Sequence, residues 1–360
     1  MLTRTLADLL EGWVQDAPAL TMTGISSDIQ TIKAGEAFVA VQGQLNHGLD
    51  FAESAVDAGA VAVIHDGLKP LPNLDVPAIK VNQLGQKQAE LASRYYSAPS
   101  ELMSVAAVTG TNGKTPVAHF LAQSWHRVYG NAGLLGSYGY GPVSDLQHTE
   151  KTSKDAFHVQ KVLSDCLGRD VEHLAMEIST QDLEQRTIET VQIDAAVYTD
   201  LGNDSSGRYA SRADYAAAKR TLFTEYAPAF VIINHDDSYG REWFGELNGG
   251  LEVLSFGLGK DAELRAEIRS ADRNGMVLRI MGPWGTEDVR TGLLGESNAS
   301  SLLAAAGTLV LLGMPWHRVL NQIELMKPVP GRMMRSQGQA VHTKASSSKA
   351  RVADKLEDAA

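Results

Sequence analysis

A glycine-rich loop ending in a lysine and a threonine carries the strongest chemical signal in this chain. It reads TGTNGKT from Thr109 to Thr115, follows an apolar run typical of a strand and precedes a helical pattern. Glycines let backbone N–H groups converge on an anion without Cβ clashes, and the start of a helix adds partial positive charge. Lys114 could reach the outer phosphates of a nucleotide, and the Thr115 hydroxyl could bind Mg²⁺. The alternative is an ordinary glycine-rich turn, but the strand–loop–helix context favours a phosphate loop.

The elements around this loop are those of an α/β protein, because short apolar runs alternate with helical patterns. The expected strands cover residues 37–41, 61–65, 78–81, 105–108, 173–178, 194–198 and 230–234. The expected helices cover residues 48–58, 83–96, 117–128, 212–226, 298–312 and 316–326. Such alternation predicts a mainly parallel sheet covered on both faces, and the helix at 298–312 is apolar nearly all round and should be buried.

The pattern divides the chain into two domains and a tail. Pro99 lies just past a helical pattern, which suggests a boundary near residue 100 and domains at 1–100 and 101–335. From Gln337 onward the pattern stops, and residues 344–349 are rich in Lys, Ser and Ala. Residues 336–360 are therefore expected to form a disordered tail.

Composition and charge exclude several classes of protein. The net charge of −11 over 360 residues argues against general nucleic-acid binding but not against binding of a small anion. The one cysteine, Cys166, rules out an internal disulfide and fits a reducing compartment. No stretch approaches the ~18 apolar residues that span a bilayer, and the first twenty residues do not follow a signal-peptide pattern. The expectation is a cytoplasmic protein without membrane insertion.

Several motifs together resemble the Mur ligase family, from about residue 2 to residue 335. The loop TGTNGKT is similar to the ATP loop of Mur ligases and folylpolyglutamate synthetases, and Met176 to Ser179 resembles the family's "MEVSSH" strand end. Ala216 to Phe223 resembles "AAKxxLF", and Pro328 to Met333 resembles "PVPGRME". The likeness is strongest to members that add the third residue to UDP-MurNAc-L-Ala-D-Glu.

The resemblance implies a fold and a set of sites. An N-terminal α/β domain would bind the UDP-muramyl substrate, and a P-loop-type central domain with a mainly parallel sheet would bind ATP. Lys114, Glu177 and a carbamylated Lys219 would be catalytic, and Thr115, Glu177 and the Lys219 carbamate would hold Mg²⁺. The ATP-binding residues would be Gly110, Thr111, Asn112, Gly113, Lys114, Thr115, Asn298 and Arg332. The UDP-muramyl peptide would contact Ser27, Thr152, Ser153, Ser179 and Gln185.

For three of these residues the sequence leaves a simpler role open. Ser27 could belong to a turn, Asn298 could be a helix N-cap, and Lys219 could be a solvated lysine on a helix.

The chain departs from the family pattern at a group of positions close to these motifs. Where the family has Arg, Gly, His, Asn, His, an aromatic residue and Asn, this chain has Asp28, Lys154, Gln181, Asp200, Ser205, Ser297 and Ser301. Pro116 also follows the phosphate loop in place of a hydroxyl residue. The resemblance stops after Arg335, so the family's third domain, which binds the incoming amino acid, is expected to be absent or supplied by a separate partner.

Three hypotheses follow. The chain is a truncated amide ligase with little or no ligation activity of its own, a pseudoenzyme that binds a UDP-muramyl peptide or a nucleotide, or an ATPase switch with another partner. Binding without turnover would select the second, and ATP hydrolysis insensitive to the muramyl peptide would select the third.

Overall fold

A small parallel sheet forms the first part of the computed structural model, which describes residues 3–43, 45–148, 155–204 and 207–329. Its strands run in the order β3-β4-β5-β6, and each pairs in parallel with its neighbour. A short antiparallel ribbon of β1 and β2 precedes it. The strands are β1 (Arg4–Thr5), β2 (Thr21–Met22), β3 (Gly24–Ser26), β4 (Glu36–Ala40), β5 (Ala62–His65) and β6 (Ala78–Lys80), and the helices are α1 (Leu6–Leu9), α2 (Ala52–Asp57) and α3 (Leu84–Tyr96).

This sheet is buried on both faces, which explains its continuous apolar strands. Successive side chains of β4 point to opposite faces: Ala37 and Val39 join one core, and Phe38 and Ala40 join the other. Helix α3 packs on the first core and α2 on the second. The three strands and two helices expected within the first hundred residues are therefore confirmed, with ends that differ by one or two residues and with a 3₁₀ turn, Gly48–Phe51, opening α2.

A second sheet holds ten strands within the described ranges, in the order β16-β15-β14-β13-β12-β11-β7-β10-β8-β9. From β8 to β14 across this order every pairing is parallel. The strands are β7 (Ser104–Thr109), β8 (Gly133–Gly136), β9 (Gly139–Pro142), β10 (His173–Glu177), β11 (Ala195–Tyr198), β12 (Phe230–Asn234), β13 (Glu252–Gly257), β14 (Leu264–Asp272), β15 (Gly275–Gly282) and β16 (Gly285–Thr291).

The strands at both edges of this sheet pair in an antiparallel manner, which the sequence analysis did not predict. Strands β14, β15 and β16 form a meander, and β9 returns beside β8. The first hairpin of the meander turns at Arg273 and Asn274, between the paired residues Asp272 and Gly275. Arg279 and Asp288 pair across β15 and β16 on an exposed face. Most residues of β14 and β16 are exposed to solvent, so these two strands lack the continuous apolar run that is typical of a buried strand.

Seven helices accompany the second sheet in the part of the chain that the structure describes. They are α4 (Lys114–Tyr129), α5 (Ala156–Leu167), α6 (Thr180–Glu184), α7 (Arg212–Thr224), α8 (Ser238–Leu247), α9 (Glu296–Leu311) and α10 (Trp316–Leu325). Helix α9 is buried along nearly its whole length, as its apolar sequence predicts. Cys166 lies buried on α5, and burial raises the pKa of its thiol to about 12. That thiol therefore serves as a packing group.

Residues 1–327 form one compact unit, and of the second unit, 328–360, only residues 328 and 329 are described. The boundary expected near residue 100 separates the two sheets in the chain, but it stays a prediction as a domain boundary. The expected tail at 336–360 lies outside the described residues. Within the described ranges, no helix is long and apolar enough to cross a membrane.

Candidate functional site

The candidate site lies where three neighbouring strands of the large sheet end. Strand β7 is central, β10 pairs on one side of it and β11 on the other, all in parallel. The chain moves from β7 to the β10 side and later crosses to the β11 side, so the strand order reverses at β7. Ligands of open α/β sheets bind at the carboxyl ends of strands at such a switch point. The loop at 109–115, Glu177 and Asp200 meet here.

Two glycines give the loop its shape. Gly110 has a φ of 148°, and a Cβ at this position would overlap the Thr199 hydroxyl. Gly113 has a φ of 82° and caps the start of α4. Both conformations disfavour a side chain, which explains glycine at these two positions. Lys114 folds back over the loop and donates to the carbonyl oxygens of Gly110 (2.8 Å) and Thr111 (3.1 Å).

Three oxygen-bearing side chains meet beside the start of α4. The buried Glu177 carboxylate accepts hydrogen bonds from the Thr115 hydroxyl (3.1 Å) and from the Ser137 hydroxyl (3.0 Å). The Ser137 backbone N–H donates to its other oxygen at 3.2 Å. Gly136 makes this approach possible, because a Cβ there would overlap that carboxylate. Glu177 and Thr115 were expected together, and the structure brings them into contact.

These donors fit Mg²⁺ in chemical type. Mg²⁺ takes hard oxygen ligands, usually one or two carboxylates completed by water and substrate phosphates. The cluster offers one carboxylate and two hydroxyls, all oxygen. Among the described residues, no group of three or more His, Cys, Asp or Glu side chains could hold a metal by itself. The described side chains by themselves therefore offer an incomplete shell, which phosphate oxygens would complete.

Lys219 is a buried lysine on α7, with 2% of its surface exposed. Its ammonium donates to the Gly110 carbonyl at 2.9 Å and lies 4.3 Å from the centre of the Tyr215 ring. Burial, reinforced by the nearby charge of Lys114, lowers the pKa of Lys219 to about 7. A large fraction of this amine is therefore neutral near pH 7. The simpler role considered for it, a solvated surface lysine, does not fit this burial.

Asp200, which follows β11, contacts the phosphate loop itself. Its Oδ1 accepts from the backbone N–H groups of Thr111 (3.0 Å) and Asn112 (2.6 Å). Its Oδ2 accepts from the Asn112 side-chain amide at 2.8 Å. The sequence marked Asp200 as a departure from the family pattern but gave no indication of this contact.

A cavity of about 100 Å³ opens next to the loop, on the side of α9. Its lining includes Asn112, Gly113, Val117, Thr199, Asp200, Asn234, Phe256, Ser297, Ser300, Ser301 and Ala304. The cavity is continuous with the phosphate loop, because Asn112 and Gly113 line both. The Asn298 side chain donates to the Leu294 carbonyl at 2.8 Å, and its proposed contact with adenine stays a prediction.

Three of the residues expected to contact the UDP-muramyl peptide, Ser27, Ser179 and Gln185, lie within the described ranges. The Ser27 hydroxyl donates to the Asp155 carboxylate at 2.7 Å, and Asp155 also caps α5. Ser179 caps α6 through Asp182, and Gln185 is exposed at the end of that helix. None of these contacts tests a substrate role. Five positions named above as site residues or as departures from the family pattern lie outside the described residues: Thr152, Ser153, Lys154, Ser205 and Arg332.

The sequence analysis did not predict four further residues of the site. They are Ser137, Tyr215, Asn234 and Phe256. Ser137 directly follows β8, and because the sequence analysis did not predict that strand, the rule that strand ends meet at one edge of a parallel sheet could not be applied to it. Tyr215, whose hydroxyl lies 3.2 Å from the Thr111 hydroxyl, carries no such signal.

The parallel sheet, its switch point and the glycine-rich loop define an α/β protein of the phosphate-loop type. Two family models match the chain: the Mur ligase middle domain over residues 108–309 and the "Mur ligase family, catalytic domain" over residues 21–96. The chain belongs to the Mur ligase family.

Individual relatives agree with this assignment. A UDP-N-acetylmuramoyl-L-alanyl-D-glutamate–2,6-diaminopimelate ligase from Alkalilimnicola ehrlichii is 35% identical over 91% of this chain and 69% of its own length. A solved structure of an enzyme with the same name has a TM-score of 0.78 at 24% identity, over 92% of this chain and 68% of that one. The MurF ligase from Thermotoga maritima in complex with ADP shares the fold, with a TM-score of 0.65 at 17% identity over 86% and 67% of the two chains.

Proposed function

We propose that the chain binds Mg·ATP at the phosphate loop and takes part in amide-bond formation on UDP-MurNAc-L-Ala-D-Glu. The observation that carries this proposal is the arrangement at the end of β7, where Thr115, Glu177 and Lys219 surround one loop. The named activity of the diaminopimelate ligases that the chain resembles supports the substrate and the reaction. The incoming group would be an amino acid such as diaminopimelate or lysine.

Each residue has a distinct part in this proposal. Bound Mg·ATP would supply the phosphoryl group that activates the substrate carboxylate. Lys114 would stabilise charge on the outer phosphate oxygens, and Thr115 with Glu177 would hold the metal. Catalysis then rests mainly on positioning and on charge stabilisation, because the protein contributes no covalent step to phosphoryl transfer.

Lys219 is the proposed site of carbamylation. Its neutral amine would attack CO₂, forming one N–C bond and releasing one proton, and the resulting carbamate would add an oxygen ligand beside the loop. The pKa of about 7 supports this, because only the unprotonated amine reacts. Protein equilibrated with ¹³C-bicarbonate should give one carbamate signal in a ¹³C spectrum, and Lys219→Met should lack it.

The direct test is a ligation assay. The protein is incubated with Mg·ATP, UDP-MurNAc-L-Ala-D-Glu and either diaminopimelate or lysine, and mass spectrometry detects UDP-MurNAc-tripeptide and ADP. Glu177→Gln should lower Mg²⁺-dependent ATP binding by about tenfold or more, since it removes the one carboxylate of the cluster. Glu172→Gln is the matched control, an exposed glutamate just before the opposite end of β10.

A second function, binding without turnover, is favoured by one observation. The carboxylate of Asp200 lies on two amides of the phosphate loop. If no tripeptide and no ADP form while the UDP-muramyl dipeptide still raises the unfolding temperature, the chain is a binding protein on a ligase scaffold. ATP hydrolysis that ignores the muramyl peptide would instead select the ATPase alternative. A cytoplasmic location and a separate partner for the amino-acid step stay predictions.

A further inference from the structure

The acidic side chain of Asp200 occupies hydrogen-bond donors of the loop that is proposed to bind phosphate. Its two oxygens accept three hydrogen bonds from Thr111 and Asn112, at 3.0, 2.6 and 2.8 Å. Hydrogen bonds to a carboxylate are about twice as strong as neutral ones. Backbone N–H groups in such loops form a concavity that attracts anions. The Asp200 carboxylate is therefore an anion, supplied by the protein itself, that occupies this concavity.

The surrounding backbone holds Asp200 in that place. Strands β11 and β7 pair up to Tyr198 and Thr109, and the next backbone N–H, that of Thr199, donates to the Thr109 carbonyl at 3.0 Å. The Thr111 N–H also donates to the Asp200 carbonyl at 3.0 Å. Two residues on, the Gly202 N–H donates to the Thr111 hydroxyl at 3.0 Å. Because the backbone is attached on both sides, residue 200 stays beside the loop, and its carboxylate can leave the loop amides only by side-chain rotation.

The charge of Asp200 also acts on the cations of the site. It raises the pKa of Lys219, opposing the larger lowering by burial and by Lys114. A bound triphosphate would bring several more negative charges to the same loop. It would meet a carboxylate already on the loop amides, and like charges at short range repel.

We propose that Asp200 sets the nucleotide affinity of this site, acting as an internal anion that weakens triphosphate binding. This inference rests on the proposed function, since it assumes that the loop binds a nucleotide. An amide at position 200 would remove the charge and keep one oxygen to accept from the backbone N–H groups of Thr111 and Asn112, while the Asn112 side chain would lose its present acceptor. Affinity for the polyphosphate should therefore rise when the charge is removed and the shape is kept.

The test compares Asp200→Asn with the wild-type protein by calorimetric titration of Mg·ATP and, separately, of inorganic tripolyphosphate. Asp200→Asn should bind both ligands about tenfold more tightly, a change of about 1.4 kcal/mol. The matched control is Asp204→Asn, which removes the same charge from the same segment. The Asp204 carboxylate accepts from the N–H groups of Arg208 (3.0 Å) and Tyr209 (3.3 Å) and also acts on Lys219. The control should change either affinity by less than about threefold.

Hydrogen exchange gives a readout that does not depend on a ligand. The Asn112 amide should be protected in the wild-type protein and in Asp200→Asn, and should exchange faster in Asp200→Ala, while the Thr111 amide should change less because it keeps the Asp200 backbone carbonyl as an acceptor. Equal or weaker ligand binding by a folded Asp200→Asn would overturn the inference and leave Asp200 as a clamp on the loop, while the nucleotide site would stand. If neither protein binds Mg·ATP or tripolyphosphate, the proposed function fails together with the inference.

Discussion

At the scale of single residues, the site depends on charged groups that are removed from water. Lys219 is the clearest case, because it is buried on α7 against the phosphate loop and the Tyr215 ring. A buried ammonium loses hydration that one carbonyl replaces only in part. The fold lowers this cost by letting the amine lose its proton, and the same neutral amine is what a reaction with CO₂ requires.

This residue makes the stability of the protein depend on pH. The pKa of Lys219 is about 7 in the folded state against an ordinary value of 10.5, so between these values the unfolded chain binds one proton more. Stability of the wild-type protein therefore rises with pH across this window. Lys219→Met has no such group. The free energy of unfolding of Lys219→Met minus that of the wild type should therefore fall by roughly 2 kcal/mol between pH 7 and pH 9.

Urea unfolding at the two pH values measures this difference, in bicarbonate-free buffer with a chelator. Lys260→Met, at an exposed lysine, is the control and should shift stability equally at both pH values. If the difference in free energy of unfolding between Lys219→Met and the wild type is the same at both pH values, Lys219 keeps its proton in the folded state.

At the scale of elements, the connection between β7 and α4 fixes the geometry of the site. The strand brings the chain to the sheet edge, and the helix starts at Lys114. Between them, Gly110 has a positive φ and lies so close to Thr199 that a side chain would not fit. The loop can form only if Gly110 and Thr199 stay in close approach.

Gly110→Ala should therefore weaken nucleotide binding while the protein stays folded. A methyl group would overlap the Thr199 hydroxyl and push the loop away from β11. We expect a loss of Mg·ATP affinity of at least tenfold, about 1.4 kcal/mol, measured by titration, with an unchanged far-ultraviolet circular dichroism spectrum. The control is Gly85→Ala in α3, where a Cβ meets open space. Normal binding by Gly110→Ala would show that the loop adapts and that its shape is not decisive.

At the scale of the whole described chain, one helix belongs to two cores. From α5, Phe157 packs into the core of the small sheet with Tyr95, while Leu163 packs into a core of the large sheet with Leu174. The Ser27–Asp155 hydrogen bond links the same region to the segment after β3. The two sheets therefore share a structural element, and we expect them to unfold together.

Phe157→Ala tests this coupling. Removing a buried phenylalanine should cost about 3–5 kcal/mol, and both sheets should lose that stability. Hydrogen exchange of Glu36–Ala40 in one sheet and His173–Glu177 in the other measures the two losses in a single sample. Asp165→Ala, at an exposed position on the same helix, should change neither. If only the first sheet loses stability, the two sheets unfold separately, and the boundary near residue 100 divides two unfolding units.

Much of the fold was predictable because its signals are local. The parallel strands of the centre are short apolar runs, buried on both faces, and Phe230–Asn234 has the same ends in the sequence and in the structure. The loop at 109–115 was recognisable because glycine, lysine and threonine are required at fixed spacing between a strand and a helix. The meander of β14 to β16 escaped because half-exposed strands carry a mixed pattern, and β8 because its four residues include two glycines.

The site itself was only half predictable. The sequence by itself determined that a phosphate loop opens α4 and that Glu177 and Lys219 belong to the same family pattern. Only the tertiary structure decided that Ser137 meets Glu177, that Ser27 meets Asp155, and that Asp200 lies on the loop amides. These partners are 40, 128 and 89 residues apart in the chain. Contacts of this kind depend on strand order and register, which the pairing of distant strands sets and no local pattern encodes.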